Sequence, residues 1–184
     1  NDGGLSWTSV PSANIPSPLS GSEYAIVDLY TKQGTSNIWF GTNQGRIFYS
    51  NNSGQTWSVS SVAASTSTIL EIAFNSPLNG VAYAFGSAFE MYNTTNGGVT
   101  WNQIASPSAS VGTNDIAGVP GTNYFVSVGA GTNNQIVSYS TDNGVTWTDY
   151  GSTGIQYLCV DFPDNTVGWA GSFSDNTNPS VGGI

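Results

Sequence analysis

The sequence predicts an all-β fold of repeated four-stranded antiparallel blades, and three observations carry the prediction. Trp7, Trp57, Trp101 and Trp147 recur at intervals of 50, 44 and 46 residues, a spacing that signals a repeat architecture. Within each period, short runs rich in β-branched and aromatic residues alternate with Gly-, Asn- and Ser-rich turns, which reads as four strands per unit. No segment carries a helical apolar period of useful length. Radial repetition of four-stranded sheets is the sequence pattern of a propeller, so the chain is expected to form an open sector of a β-propeller of four-stranded antiparallel blades.

Taken in order, residues 1–10 end in Trp7-Thr8-Ser9-Val10, expected as the last strand of one blade. Pro11, Pro16 and Pro18 make residues 11–22 an irregular loop. Blade one covers about 23–60, with strands over Tyr24–Tyr30, Ile38–Gly41, Arg46–Ser50 and Trp57–Ser60. Blade two covers about 68–105, with strands over Ile69–Phe74, Gly80–Phe85, Phe89–Tyr92 and Trp101–Ile104. Blade three covers about 115–150, with strands over Asp115–Val119, Tyr124–Val128, Gln135–Tyr139 and Trp147–Tyr150. An incomplete blade fills 155–184, from Ile155–Phe162 through Val167–Gly171 to the start of a third strand at Val181–Ile184. An open sector leaves raw sheet edges, which proteins cover. The remaining blades or neighbouring domains of the same protein are the expected partners there.

Each of the three full units contains one octet. Ser50–Trp57, Thr94–Trp101 and Ser140–Trp147 share the pattern Ser/Thr-x-Asp/Asn-x-Gly-x-Thr-Trp, and Asp2, Gly4 and Trp7 are what remains of a fourth copy. The third position, Asn52, Asn96 or Asp142, can bond its own following backbone and hold a turn. The fifth, Gly54, Gly98 or Gly144, permits positive φ. The closing Trp buries a large surface and starts the next strand. The octet resembles the Asp box, or BNR repeat, of the propeller superfamily that includes sialidases, xyloglucanases, sortilin-type receptors and photosystem assembly factors. The resemblance implies a structural turn between the third and fourth strands of a blade. It implies fold and leaves activity open.

Composition narrows the function. Eleven acidic residues face Lys32 and Arg46 alone, for a net charge of −9. Nucleic acid and anionic membrane surfaces both require a basic footprint, so neither is expected as a partner, and no run is long enough to insert into a membrane. The scarcity of lysine and the richness in Asn, Ser, Thr and Gly point to an extracellular or cell-surface setting. Cys159 is the single cysteine and, in its apolar run, is expected in the core. No histidine is present, which removes Ser-His-Asp chemistry. No metal-ligating series and no phosphate-cradling loop is found, so no metal and no cofactor is expected.

The candidate acids lie on the innermost strands: Asp28, Glu71, Asp115 and Asp161, the last three each 14 residues after an octet Trp. Such periodicity favours hydrogen bonding near the central channel. A pair of them could instead flank a glycosidic bond, which makes a glycoside hydrolase of the Asp-box type the alternative function. The sialidase likeness would need three arginines around a carboxylate, and the chain has one, Arg46, expected as an exposed rim charge. Strand alternation puts the first-to-second and third-to-fourth turns, and hence the octets, on one face. The other face collects the second-to-third turns and the loops between blades. The ligand-binding candidates there are Asn43, Gln44, Asn133, Asn134, Phe173 and Asp175. The expected function is a non-catalytic secreted or surface module that binds protein or glycan, or serves structural assembly. Trp39 and Trp169 are expected to pack between blades.

Overall fold

In a computed structural model of the chain, residues 4–104, 111–130, 135–152 and 155–172 are described. Fourteen strands and one 3-10 turn (Ser12–Asn14) make up the described elements. Strands β1 (Ala25–Gln33), β2 (Asn37–Thr42), β3 (Arg46–Ser50) and β4 (Ser58–Ser61) form the first antiparallel sheet in sequence order. Strands β5 (Thr68–Phe74), β6 (Gly80–Phe85), β7 (Phe89–Thr94) and β8 (Asn102–Gln103) form the second. Strands β9 (Asp115–Gly118), β10 (Phe125–Val128), β11 (Ile136–Ser140) and β12 (Thr148–Ser152) form the third, and β13 (Tyr157–Asp161) pairs with β14 (Trp169–Ser172). Each sheet is an up-and-down meander, because its turns are too short for anything but antiparallel return. Trp7–Val10 does not form the expected strand. Among the described residues no strand pairs with it to complete a ladder, and Trp7 is 91% exposed.

The octets set the geometry of each blade. The hydroxyl oxygen of Ser50 accepts the N–H groups of Asn52 (3.3 Å) and Gly54 (2.9 Å), and Asn52 Oδ1 accepts the N–H of Thr56 at 2.9 Å. Thr94 with Asn96, and Ser140 with Asp142, repeat the arrangement. The side-chain oxygens thereby satisfy amides that the reversal of the chain would leave unpaired. Gly54, Gly98 and Gly144 all have φ between 81° and 87°, where a Cβ would clash with the backbone. The octets also meet the first-to-second turns, since the N–H groups of Ser53, Gly97 and Asn143 donate to the carbonyls of Ser36, Leu78 and Asn123. Both sets of turns therefore share one face.

The core lies between blades. From the first sheet, Trp39, Leu29 and Ile47 pack against Ile72, Phe74, Ala82 and Tyr92 of the second. Tyr83, Val81 and Met91 of the second sheet pack against Ile116, Phe125 and Trp147 of the third. Ala117 and Val128 of the third meet Val160 of the fourth. Alternation along each strand thus sends one face to the preceding blade and one to the following blade. With Trp147, Trp39 is the largest of these side chains. Its ring stacks on Phe74 at 3.8 Å between centroids, and its Nε1–H donates to Gly97 O at 2.8 Å. Cys159 is not in the core as expected. It is exposed, because it lies on the face of β13 opposite to Val160.

Candidate functional site

Two regions gather the polar side chains singled out in the sequence. The first is a cavity of about 550 Å³ walled by the innermost strands, with Lys32, Gln33, Glu71, Asp115 and Asp161 in its lining. Glu71 and Asp115 hold equivalent places. Glu71 pairs across its sheet with Tyr83 and Asp115 with Val128, each three residues past the partner of an octet's first residue. Asp161 pairs instead with Trp169 and is exposed. Asp28 belongs to β1, and its side chain lies outside the described residues.

The acids differ in what they hold. Asp115 Oδ2 accepts the N–H of Val160 at 2.7 Å, and Oδ1 accepts its own neighbour Ile116 N–H at 2.7 Å. The first of these bonds ties the third blade to the fourth. Among the described residues, Asp161 accepts the N–H of Phe162 alone, at 2.8 Å. Glu71 makes no hydrogen bond to another described residue. Burial, reinforced by the charge of Asp115, pushes its carboxyl up to about 8, since a carboxylate out of water and beside a second one resists ionisation. Asp115 is also raised, chiefly by burial, with the two N–H bonds working against the shift and Asp161 adding to it. Burial thus favours the protonated form of Glu71, beside an Asp115 side chain anchored on two backbone amides.

The second region is the face opposite the octets. Asn43 Oδ1 accepts the N–H of Tyr24 at 2.8 Å and Asn43 Nδ2 donates to Ser22 O at 3.1 Å. Gln44 Nε2 donates to Ser20 Oγ at 2.7 Å and Ser22 Oγ at 3.2 Å. Both amides thus order the loop that leads into β1. Beneath them, Arg46 is not an exposed rim charge. Its side chain is 7% exposed and ion-paired to Glu23, donating from Nε at 2.8 Å and from Nη2. Nη2 also donates to Ser17 O, and the guanidinium lies 4.9 Å over the Phe48 ring. Burial alone would raise the Glu23 carboxyl, but the hydrogen bonds from Arg46, Leu19 N–H and Thr42 outweigh it and lower its pKa. Composition gave no hint of this pairing, because Glu23 sits in a loop rather than a repeat position. The ordered loop holds Leu19 and Tyr24 at the surface, 55% and 62% exposed. Asn133, Asn134, Phe173 and Asp175 lie outside the described residues, as does Asp2.

No known family pattern matches the chain, and no curated protein matches it in sequence. Solved structures do. YCF48 bound to a D1 peptide superposes with a TM-score of 0.51 at 19% identity, over 73% of this chain and 46% of the other. YCF48 from Cyanidioschyzon merolae gives 0.52 at 16% identity, over 72% and 38%. The GH74 xyloglucanase from Xanthomonas campestris gives 0.45 at 16% identity, over 65% and 19%. The chain spans less than half the length of any of these. Three antiparallel four-stranded sheets, cores between successive sheets and propeller neighbours agree: the chain is an open sector of a β-propeller.

Proposed function

We propose that the chain is a non-catalytic module of an extracellular or cell-surface propeller, and that it binds a protein segment through the loop over residues 18–24. The observation that carries this reading is the construction of that loop. A buried Glu23–Arg46 pair and the amides of Asn43 and Gln44 hold it in one shape, so its exposed Leu19 and Tyr24 are ordered before any partner arrives. Preorganised apolar and aromatic anchors lose little entropy on binding. A solved propeller of the same fold is bound to a D1 peptide, which supports a protein segment over a glycan as the ligand. Screening the chain against peptide and glycan arrays tests the reading. Binding to peptides that Leu19→Ser and Tyr24→Ser each abolish, and that Leu78→Ser on the opposite face leaves intact, is expected. Glycan binding alone, or binding indifferent to the loop, would overturn it.

One observation favours the second reading, a glycoside hydrolase. Glu71 is held protonated near a carboxylate in an accessible cavity, as a general acid must be. Against it, Asp115 is anchored on two backbone amides and is held where a blade joint needs it. Release of sugar from a β-glucan panel that disappears in Glu71→Gln would favour hydrolysis over binding.

A further inference from the structure

A small cavity of about 180 Å³ lies on the octet face, between the first and second blades. Trp39 lines it from the joint, 2% exposed and fixed by the bond from its Nε1–H to Gly97 O. Tyr49 pairs with Trp39, is half-buried on the same face of the sheet and supplies a second ring. Leu78 and Val99 of the second blade, 58% and 52% exposed, line the cavity from the other side. Three amide side chains share the lining. That of Asn96 is occupied within its own octet, where Oδ1 accepts the N–H of Thr100 at 2.9 Å and Nδ2 donates to Thr100 Oγ1 at 2.8 Å. Asn37 has one long bond, from Nδ2 to Gln33 O at 3.4 Å. The exposed amide of Asn51 and the hydroxyl of Tyr49 make no hydrogen bond to another described residue.

The repeat does not require these groups. Asn93 holds the place of Tyr49 in the second blade, since it pairs with Val81 as Tyr49 pairs with Trp39. Asn51 is the second residue of its octet, where the other two octets carry Thr95 and Thr141. Their chemistry points to a ligand. No carboxylate, ammonium or guanidinium lines the cavity, so a charged ligand would lose its water without gaining a partner. Each amide carries a donor and an acceptor on neighbouring atoms, which suits hydroxyl groups that both donate and accept. Leu78, Val99 and the Tyr49 ring present apolar surface to carbon-bound hydrogens. The volume is below the ~300 Å³ at which ordinary ligand sites begin, so it admits one ring rather than a length of chain. A sugar ring combines these properties: neutral, rimmed with hydroxyls and apolar on its C–H face. We propose that the cleft between Tyr49 and Leu78 binds a single neutral pyranose, free or at the end of a glycan, with Asn37 and Asn51 bonding its hydroxyls. The site lies on the face opposite the loop over residues 18–24 and is independent of what that loop binds.

Saturation-transfer NMR of the protein with the methyl pyranosides of glucose, galactose, mannose and N-acetylglucosamine tests the site, with a neutral blocked tripeptide as a second probe. A ligand of this size is expected to bind with a Kd on the order of 1 mM. Asn51→Thr brings in the residue type that the other two octets carry, so it should fold with an unchanged Tm. It should weaken sugar binding at least about fivefold, the loss of one well-placed hydrogen-bonding group. Tyr49→Phe and Leu78→Ser should each weaken it too, and Tyr24→Ser on the loop face should leave it unchanged. No signal from any of the sugars at about 10 mM, well above the expected Kd, would overturn the proposal. So would sugar binding that Asn51→Thr and Tyr49→Phe both leave intact. Binding of the tripeptide that Asn51→Thr abolishes, with no sugar bound, would assign the cleft to a protein ligand and overturn it as well.

Discussion

Gly144 shows how much of this fold rests on single atoms. A Cβ there would stand 2.3 Å from Val81 Cγ2 of the preceding blade, on a residue whose φ is 81°. Gly144→Ala is expected to cost about 2–3 kcal/mol in urea denaturation. Val81→Ala should recover only part of that loss, because it relieves the contact and not the backbone. Glu71 is the second residue whose chemistry can be read directly. Its carboxyl is raised from an ordinary 4.5 to about 8 in the folded chain, so the folded state holds a proton that the unfolded state releases. Stability from this group is complete below about pH 4.5 and falls as pH rises toward 8. Glu71→Gln should flatten that slope and stabilise the chain at pH 8 by an order of 2 kcal/mol, after allowing for the solvent that reaches the carboxyl. An unchanged pH profile would show that Glu71 is ionised in the folded chain.

At the scale of the element, the octet is a set of oxygen acceptors arranged around a reversal. The first-position hydroxyls of Ser50, Thr94 and Ser140 are buried and each receives two backbone amides. Reading the sequence placed weight on the Asp or Asn and on the glycine, whose preferences are local and visible in one chain. The hydroxyl at the head of the turn was the less obvious contributor, because serine and threonine are common throughout this sequence. Burial alone would raise the Asp142 carboxyl, yet hydrogen bonds from Thr146 and Ser140 hold it below the usual value. Its contribution to stability is thus present above the ordinary carboxylate range and lost as pH falls through the lowered value. Asp142→Ala should destabilise the chain by about 1–2 kcal/mol at pH 7, and by less in acid. Asn96→Asp should be neutral or mildly stabilising at pH 7, since the third octet already shows an aspartate accepting the same threonine amide and hydroxyl.

For the whole molecule, the joints between blades carry the stability, and Trp39→Ala should cost about 3–5 kcal/mol in the same denaturation. The four-stranded antiparallel sheets and their strand order were legible in the sequence because they follow from a repeat and from alternation. The burial of Arg46 was not, since its partner lies 23 residues away in a loop. Nor was the exposure of Cys159 and Trp169, because an apolar run does not say which blade face is covered. Asn43 and Gln44 stood out in the sequence as turn residues, but their role in shaping the loop before β1 depends on Ser20, Ser22 and Tyr24, some twenty residues away. That loop is the centre of the functional reading. The most direct measurement is a fluorescence polarisation titration of the strongest array peptide against the wild-type chain and Tyr24→Ser. An affinity loss of about tenfold or more, with an unchanged Tm, is expected when a surface aromatic anchor is removed. Equal affinity for the two proteins would contradict binding through this loop.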